Sequence, residues 1–214
     1  KAIYSITCPP TILPEGKWNK VTLCGESAGT AEVSWWECPN CHSGQQFPGQ
    51  CSSCKSSRRF APQGFVGSSG NMLRLICKNG GIDFERCNRT NVCKRQPPKK
   101  DFSNFYHDPK KRTLPTEELQ WWRQLLIAEI TKYRPNVVVA LGNEALRALT
   151  SEDGITKWQG SILESNVIPG LKVIPAVHPA YIMRDNWEEY YTTIKFFKRI
   201  AIEAKSPNQQ LKEP

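Results

Sequence analysis

Three polar residues lie at or just past the ends of predicted strands: Glu26, Asn91 and His178. The predicted strands alternate with helices, a pattern that favours a mostly parallel sheet covered on both faces. In such sheets, ligands bind in the crevice outside the C-terminal strand ends. We therefore expect a carboxylate, a carboxamide and an imidazole to face one binding site.

A second group of residues has the spacing of a metal site. Cys38 and Cys41 form one CxxC pair, and nine residues later Cys51 and Cys54 form another. Two CxxC turns bring four thiolates together, as a tetrahedral zinc ion requires. The pattern predicts one structural zinc ion in a ribbon inserted at residues 33–62. Two disulfides are the alternative that the spacing leaves open.

Composition limits the class of protein. A chain of 214 residues can form one α/β domain with a small appendage. The net charge of +9 favours a polyanionic partner such as nucleic acid. The longest apolar run, Val137–Leu141, is far too short to span a membrane. Because four of the nine cysteines form CxxC pairs, we expect an intracellular, reducing compartment, the cytoplasm or nucleoid.

Apolar periodicity places the remaining elements. Residues 1–19 are dotted with proline and are expected to wrap the surface. Strands are predicted at 20–24, 85–92, 137–141 and 173–177, and helices at 71–78, 116–133, 143–149 and 187–200. The whole chain, 1–214, is then one three-layer α/β/α domain around a mostly parallel central sheet, apart from the inserted ribbon.

Five motifs occur in an order typical of a known family. They are GESAGTAE (25–32), GFVGSSG (64–70), TNVCKRQPP (90–98), PNVVVALG (135–142) and HPAYIMR (178–184). Together they resemble the uracil-DNA glycosylase superfamily, and family 4 within it, over about residues 20–200. The resemblance implies a glycosylase fold. It also implies an enzyme that flips uracil, or a related 5-substituted pyrimidine, out of DNA and hydrolyses its N-glycosidic bond, leaving an abasic site.

The resemblance also implies roles for residues of these motifs. Phe65 would supply a flat face for the base, and the carboxamide of Asn91 would read the pyrimidine edge. His178 would place a donor near O2 of the departing base, where negative charge grows. Gly25 and Ser27, from the first motif, would also contact the base.

Two glutamates, Glu26 and Glu32, are candidates to orient the attacking water or to stabilise the cationic sugar, and the choice between them stays open. We expect no cofactor in the chemical step and no lysine nucleophile, hence a monofunctional enzyme. The sequence departs from the family pattern at Ala28, Gln96 and Ala180. These departures keep open an alternative: a weak or inactive glycosylase fold acting as a DNA-binding or processivity module of a larger replication protein.

DNA contacts are predicted in two segments. Basic residues after Asn91 would hold phosphates, whereas apolar residues after His178 would wedge open the duplex. The candidates are Lys94, Arg95, Lys99, Lys100 and Arg184 for phosphates, and Ile182 and Met183 for the wedge. Family 4 members commonly hold an iron–sulfur cluster through four cysteines, but here only Cys8 lies near the start, so we expect no cluster. The expected partners are uracil-containing DNA and a polymerase or other replication protein, bound by a monomer.

Overall fold

The computed structural model describes residues 4, 11–29, 32, 36–38, 40–41, 44–45, 50–56 and 64–206. Its main sheet has six strands: β1 (Thr11–Ile12), β2 (Val21–Ser27), β5 (Asn88–Cys93), β6 (Val137–Leu141), β7 (Leu163–Glu164) and β8 (Lys172–Ala176). Their order is β1-β5-β2-β6-β8-β7. The four central strands are parallel, and the two edge strands are antiparallel to their neighbours.

The described residues outside the ribbon segment contain six helices: α1 (Gly67–Asn79), α2 (Glu117–Tyr133), α3 (Asn143–Thr150), α4 (Ile155–Trp158), α5 (Pro179–Ile182) and α6 (Glu188–Glu203). Short 3-10 turns lie at Phe84–Arg86, Pro98–Lys100 and Phe102–Phe105. None of the helices in the described part of the chain combines the length and apolarity needed to cross a bilayer.

Two apolar cores lie on opposite faces of the sheet. On one face, Leu23 and Val139 pack with Leu73 of α1 and Phe197 of α6. On the other face, Cys24 and Val138 pack with Leu119 and Trp122 of α2. Successive residues of β2 and of β6 belong to opposite cores because strand side chains alternate between the faces. The prediction of a three-layer α/β/α fold with a mostly parallel sheet is confirmed.

The main elements follow the predicted pattern, with corrections at their ends and in the N-terminal segment. The strand predicted to begin at residue 85 begins at Asn88, because a 3-10 turn occupies Phe84–Arg86. Thr11–Ile12, expected to wrap the surface, adds an edge strand by pairing with Thr90 and Arg89 of β5. The predicted start of α2 is observed: the side chain of Thr116 accepts a hydrogen bond from the backbone N–H of Leu119 at 3.3 Å.

Candidate functional site

A cavity of about 230 Å³ opens at the C-terminal ends of the central strands. Its walls include Ser27, Glu32, Phe65, Asn91 and His178. These residues lie far apart in the sequence, yet the parallel strands end at the same edge of the sheet and bring them together. The cavity is smaller than the roughly 300–1,000 Å³ of pockets for drug-sized ligands, which suits a single base.

A close contact between β2 and β5 sets the position of the amide. Asn91 is 6% exposed and lies opposite Gly25 in the strand register. A Cβ atom on Gly25 would lie 2.3 Å from Oδ1 of Asn91 and 3.4 Å from Cζ of Phe65. Only glycine therefore leaves room at position 25 for the amide and the ring to meet.

The aromatic wall is held by its own backbone. Phe65 has a positive φ of 63°, and a Cβ atom on Gly70 would lie 1.9 Å from the carbonyl oxygen of Phe65. Glu32 fixes the same turn: its Oε1 accepts a hydrogen bond from the backbone N–H of Phe65, and its Oε2 accepts one from Gly29 at 2.7 Å. Burial raises the pKa of Glu32, although these two donors partly offset the increase.

His178 faces the cavity as a neutral ring. It caps α5, and its Nδ1 accepts a hydrogen bond from the backbone N–H of Ala180 at 3.1 Å. Burial, and to a smaller extent the charge of Arg184, lowers the pKa of His178 to about 4. Because Nδ1 is an acceptor, the proton of the neutral imidazole is on Nε2, which is left as a donor.

Lys94 supports the site from behind, and the prediction that it contacts DNA is wrong. Its side chain is 0% exposed, and its Nζ pairs with Glu129 at 2.8 Å. The same Nζ donates hydrogen bonds to the hydroxyl of Thr90, at 3.1 Å, and to the backbone carbonyl of Asn91. A buried lysine needs such partners, and here they anchor the end of β5 that carries the Asn91 amide.

Glu26 is not among the described residues that line the cavity. By strand alternation it points to the face opposite Gly25 and Ser27. Burial, and then the charge of Glu144, raises the pKa of Glu26 to about 7, against the opposing effect of nearby Arg112. The structure thus brings Glu32, but not Glu26, to the cavity.

The remaining DNA-contact candidates divide by exposure. Ile182 is 0% exposed, so the prediction that it forms a wedge is wrong. Met183 is half-buried, and Lys99, Lys100 and Arg184 are exposed. Arg95 is held by two hydrogen bonds to the carboxylate of Glu118, at 2.5 and 2.7 Å, so its guanidinium faces protein.

Sequence reasoning missed several lining residues. The first turn of α1 contributes Ser68 and Ser69, and Leu73, Leu141 and Pro179 add apolar wall. The helix was predicted to begin at residue 71, but it begins at Gly67. The motif GFVGSSG contained the signal, because glycine at the start of a helix lets its backbone approach a ligand closely.

The four cysteines of the predicted ribbon form a compact cluster. The sulfur atoms of Cys38, Cys41, Cys51 and Cys54 all lie within 4.8 Å of one another. The pairs Cys38–Cys54 and Cys41–Cys51 are each 3.6 Å apart, far beyond the ~2.05 Å of a disulfide. Zn–S bonds of about 2.3 Å in a tetrahedron place sulfurs about 3.8 Å apart, so the cluster fits zinc. Next to it, β3 (Trp36–Glu37) and β4 (Gly44–Gln45) form an antiparallel hairpin.

A metal-content experiment tests this assignment. We expect the purified protein to hold about one zinc ion per chain, and Cys51→Ser to lose it because a structural site needs all four ligands. Metal analysis after gel filtration measures both. Cys77→Ala, which removes a buried thiol outside the cluster, is the matched control and should keep its zinc. Full zinc content in Cys51→Ser would contradict the assignment.

An amide, an aromatic ring and a neutral imidazole meet at the C-terminal edge of a parallel α/β sheet, an arrangement suited to a flat, hydrogen-bonding ligand. Residues 49–204 match the sequence profile of the Uracil DNA glycosylase superfamily, and the chain belongs to this superfamily. The resemblance stated from the five motifs is confirmed.

Two relatives are similar to parts of this chain. It is 33% identical to the Type-4 uracil-DNA glycosylase of Thermotoga maritima over 127 residues, which are 58% of this chain and 59% of that protein. It is also 27% identical to a DNA polymerase of Bacillus phage SP01 over 150 residues, 68% of this chain but 14% of the polymerase. The matched region thus spans less than two thirds of either relative.

Proposed function

We propose that this chain is a monofunctional DNA glycosylase that excises uracil, or a related 5-substituted pyrimidine, from DNA. The observation that carries the proposal is the meeting of Phe65, Asn91 and His178 around one cavity. The similarity to a Type-4 uracil-DNA glycosylase supports it. The substrate base must leave the helix stack before it can enter such a cavity, at a cost of about a few kcal/mol.

Base recognition rests on the amide of Asn91. Its oxygen accepts from N3–H of uracil while its nitrogen donates to O4, and the ring of Phe65 covers one face of the base. Cytosine carries an amino group at C4 and no hydrogen on N3, so it mismatches both contacts. The support from Lys94 and Glu129 keeps this amide in place, which a preorganised site requires.

Bond cleavage places negative charge on the departing base. As the bond from C1′ of the sugar to N1 of uracil breaks, the electron pair moves onto the base and spreads to O2. The Nε2–H of His178 donates to that oxygen. A neutral donor suffices because preorganised dipoles in a water-poor cavity stabilise charge strongly. The oxygen of a water molecule then bonds to C1′, the water gives up a proton, and the uracil anion gains one, leaving an abasic site.

Glu32 is the carboxylate placed to orient this water or to stabilise the cationic sugar. Replacing it with glutamine should lower excision by about 10²-fold, because one of its two backbone contacts is lost and the turn carrying Phe65 shifts. Single-turnover excision measures the effect.

Glu26→Gln is the matched control for this substitution and should excise uracil at close to the original rate. Glu26→Gln should also change how the stability of the protein depends on pH. With a folded pKa of about 7, Glu26 keeps its proton when the unfolded chain has lost it. The contribution of Glu26 to stability therefore falls as pH rises from 4.5 to 7, and Glu26→Gln removes that contribution. Equal losses of excision in both variants would contradict the distinction.

The direct test of the proposal is an excision assay. The protein is incubated with DNA containing uracil, hydroxymethyluracil or thymine, single-stranded and opposite each base, and abasic sites are cleaved with alkali. We expect cleavage at uracil, and the results with hydroxymethyluracil and thymine measure how large a 5-substituent the cavity accepts. Strand cleavage without alkali would contradict the monofunctional assignment, and no cleavage at any base would refute the glycosylase.

The second candidate is a DNA-binding module of a larger replication protein. The similarity to part of a phage DNA polymerase favours it, as do Ala28 and Ala180, where the family pattern has other residues. The inserted ribbon would then contact a polymerase or extend the DNA surface. The same assay separates the candidates, since a module of this kind binds DNA without releasing uracil.

A further inference from the structure

A stripe of exposed side chains runs along α6 and has no part in the base-binding cavity. Trp187, just before the helix, is 57% exposed, and Tyr191 is 71% exposed. Lys195 and Lys198 are also exposed. Their spacing places all four on one face of the helix. Glu188, exposed as well, lies about 100° around the helix from Trp187.

A rigid turn connects this stripe to the cavity. The backbone N–H of Tyr181 donates to the carbonyl of His178 at 2.8 Å. The side chain of Asn186 donates to the carbonyls of Tyr181, at 3.0 Å, and Arg184, at 2.8 Å. These bonds fix the backbone of the turn between His178 and Trp187, and the side chain of Tyr181 on this turn is exposed. The exposed aromatic residues Tyr181 and Trp187 are therefore carried on a hydrogen-bonded turn that starts at His178.

We propose that this surface, Tyr181, Trp187, Tyr191, Lys195 and Lys198, binds an unpaired stretch of DNA beside the target base. Exposed aromatic rings can stack on bases only where the bases are free of a complementary strand, and neighbouring lysines hold the phosphates. A protein-docking surface would instead exclude lysine from its centre. The proposal rests on the proposed function and adds to it a second DNA contact, outside the base-binding cavity, that is selective for unpaired strands.

Binding to DNA without uracil tests this surface independently of catalysis. Fluorescence anisotropy compares an oligothymidine with a duplex of the same length. We expect Trp187→Leu and Tyr191→Leu, which keep apolar bulk but lose the ring, each to weaken single-strand binding by about 5-fold or more. Duplex affinity should not change, and Trp187→Phe and Tyr191→Phe should retain binding. Replacing Lys195 and Lys198 with alanine should make the slope of log affinity against log salt concentration shallower. The expected change is about 0.7 for each phosphate contact that is lost.

Ile202→Ala is the matched control. Ile202 is a 65% exposed apolar residue on the same helix, about 22 Å beyond Trp187, and its loss should leave DNA affinity unchanged. Unaltered single-strand binding in both leucine variants overturns the proposal, as do equal losses on single strands and duplex. Self-association of the protein that the leucine variants abolish would assign the surface to a second copy and also overturn it. The excision assay on the unsubstituted protein tests separately whether the protein is a glycosylase at all.

Discussion

Replacing Asn91 with aspartate is expected to lower uracil excision by about 10³-fold or more. The substitution keeps the shape of the side chain but removes the donor for O4 of uracil. When ionised, the carboxylate is an acceptor only, and it places negative charge where the departing base becomes negative. Losing one such donor in a preorganised site costs about 10²–10³-fold, and repulsion adds to this loss. Single-turnover excision of uracil from DNA measures the effect.

Two further measurements show whether this loss is specific. Asn91→Ala, which removes the amide without adding a charge to a 6% exposed position, should show a comparable loss. Affinity for DNA with an abasic site should persist in both variants because the phosphates are held elsewhere. Excision within about tenfold of the original in Asn91→Ala would show that the amide does not read the base.

His178→Ala should reduce excision by about 10²–10³-fold, because the Nε2–H donor to the leaving base is lost. Protonation of His178 should not shape the pH–rate profile near pH 6.5, since the pKa of His178 lies at about 4. Between pH 6.5 and 4, the unfolded chain binds a proton on this histidine and the folded protein does not. The contribution of His178 to stability therefore falls as pH is lowered through this range, opposite in sign to that of Glu26, and His178→Ala removes it.

An exposed histidine is the matched control. The side chain of His107 is exposed, and His107→Ala should leave excision unchanged. Titration of the ring signals by NMR resolves the two groups and should place His178 near 4. A ring of His178 that titrates near 6.5 would contradict the neutral donor, and normal excision by His178→Ala would remove it from the mechanism.

The convergence of Phe65, Asn91 and His178 follows from information that the sequence carries directly. Buried strands and the motifs at their ends are local patterns, and parallel strands bring their C-terminal ends to one edge. The sequence also contains the information needed to predict on which face of the sheet Glu26 lies. Gly25 and Ser27 contribute to the cavity side, so the residue between them points away, because side chains alternate along a strand.

Residue type could not predict which of the candidate side chains are buried. Lys94 was read as a phosphate contact because it is basic and lies in a basic segment, but Thr90 and Glu129 provide partners for it inside the protein. Ile182 was predicted to be a wedge because it is apolar, but its side chain is buried in the apolar core beside α5. Both errors depend on long-range packing, which no local pattern contains.

The hydrogen bond between Glu32 and Phe65 has a consequence for the segment that lies between them. It joins two positions about thirty residues apart in the sequence, so the path between them can lengthen or shorten while the turn that carries Phe65 keeps its shape. Closing a longer loop costs only about 0.6 kcal/mol per doubling of its length. Changes in the length of this segment should therefore cost little stability and leave the aromatic wall of the cavity in place.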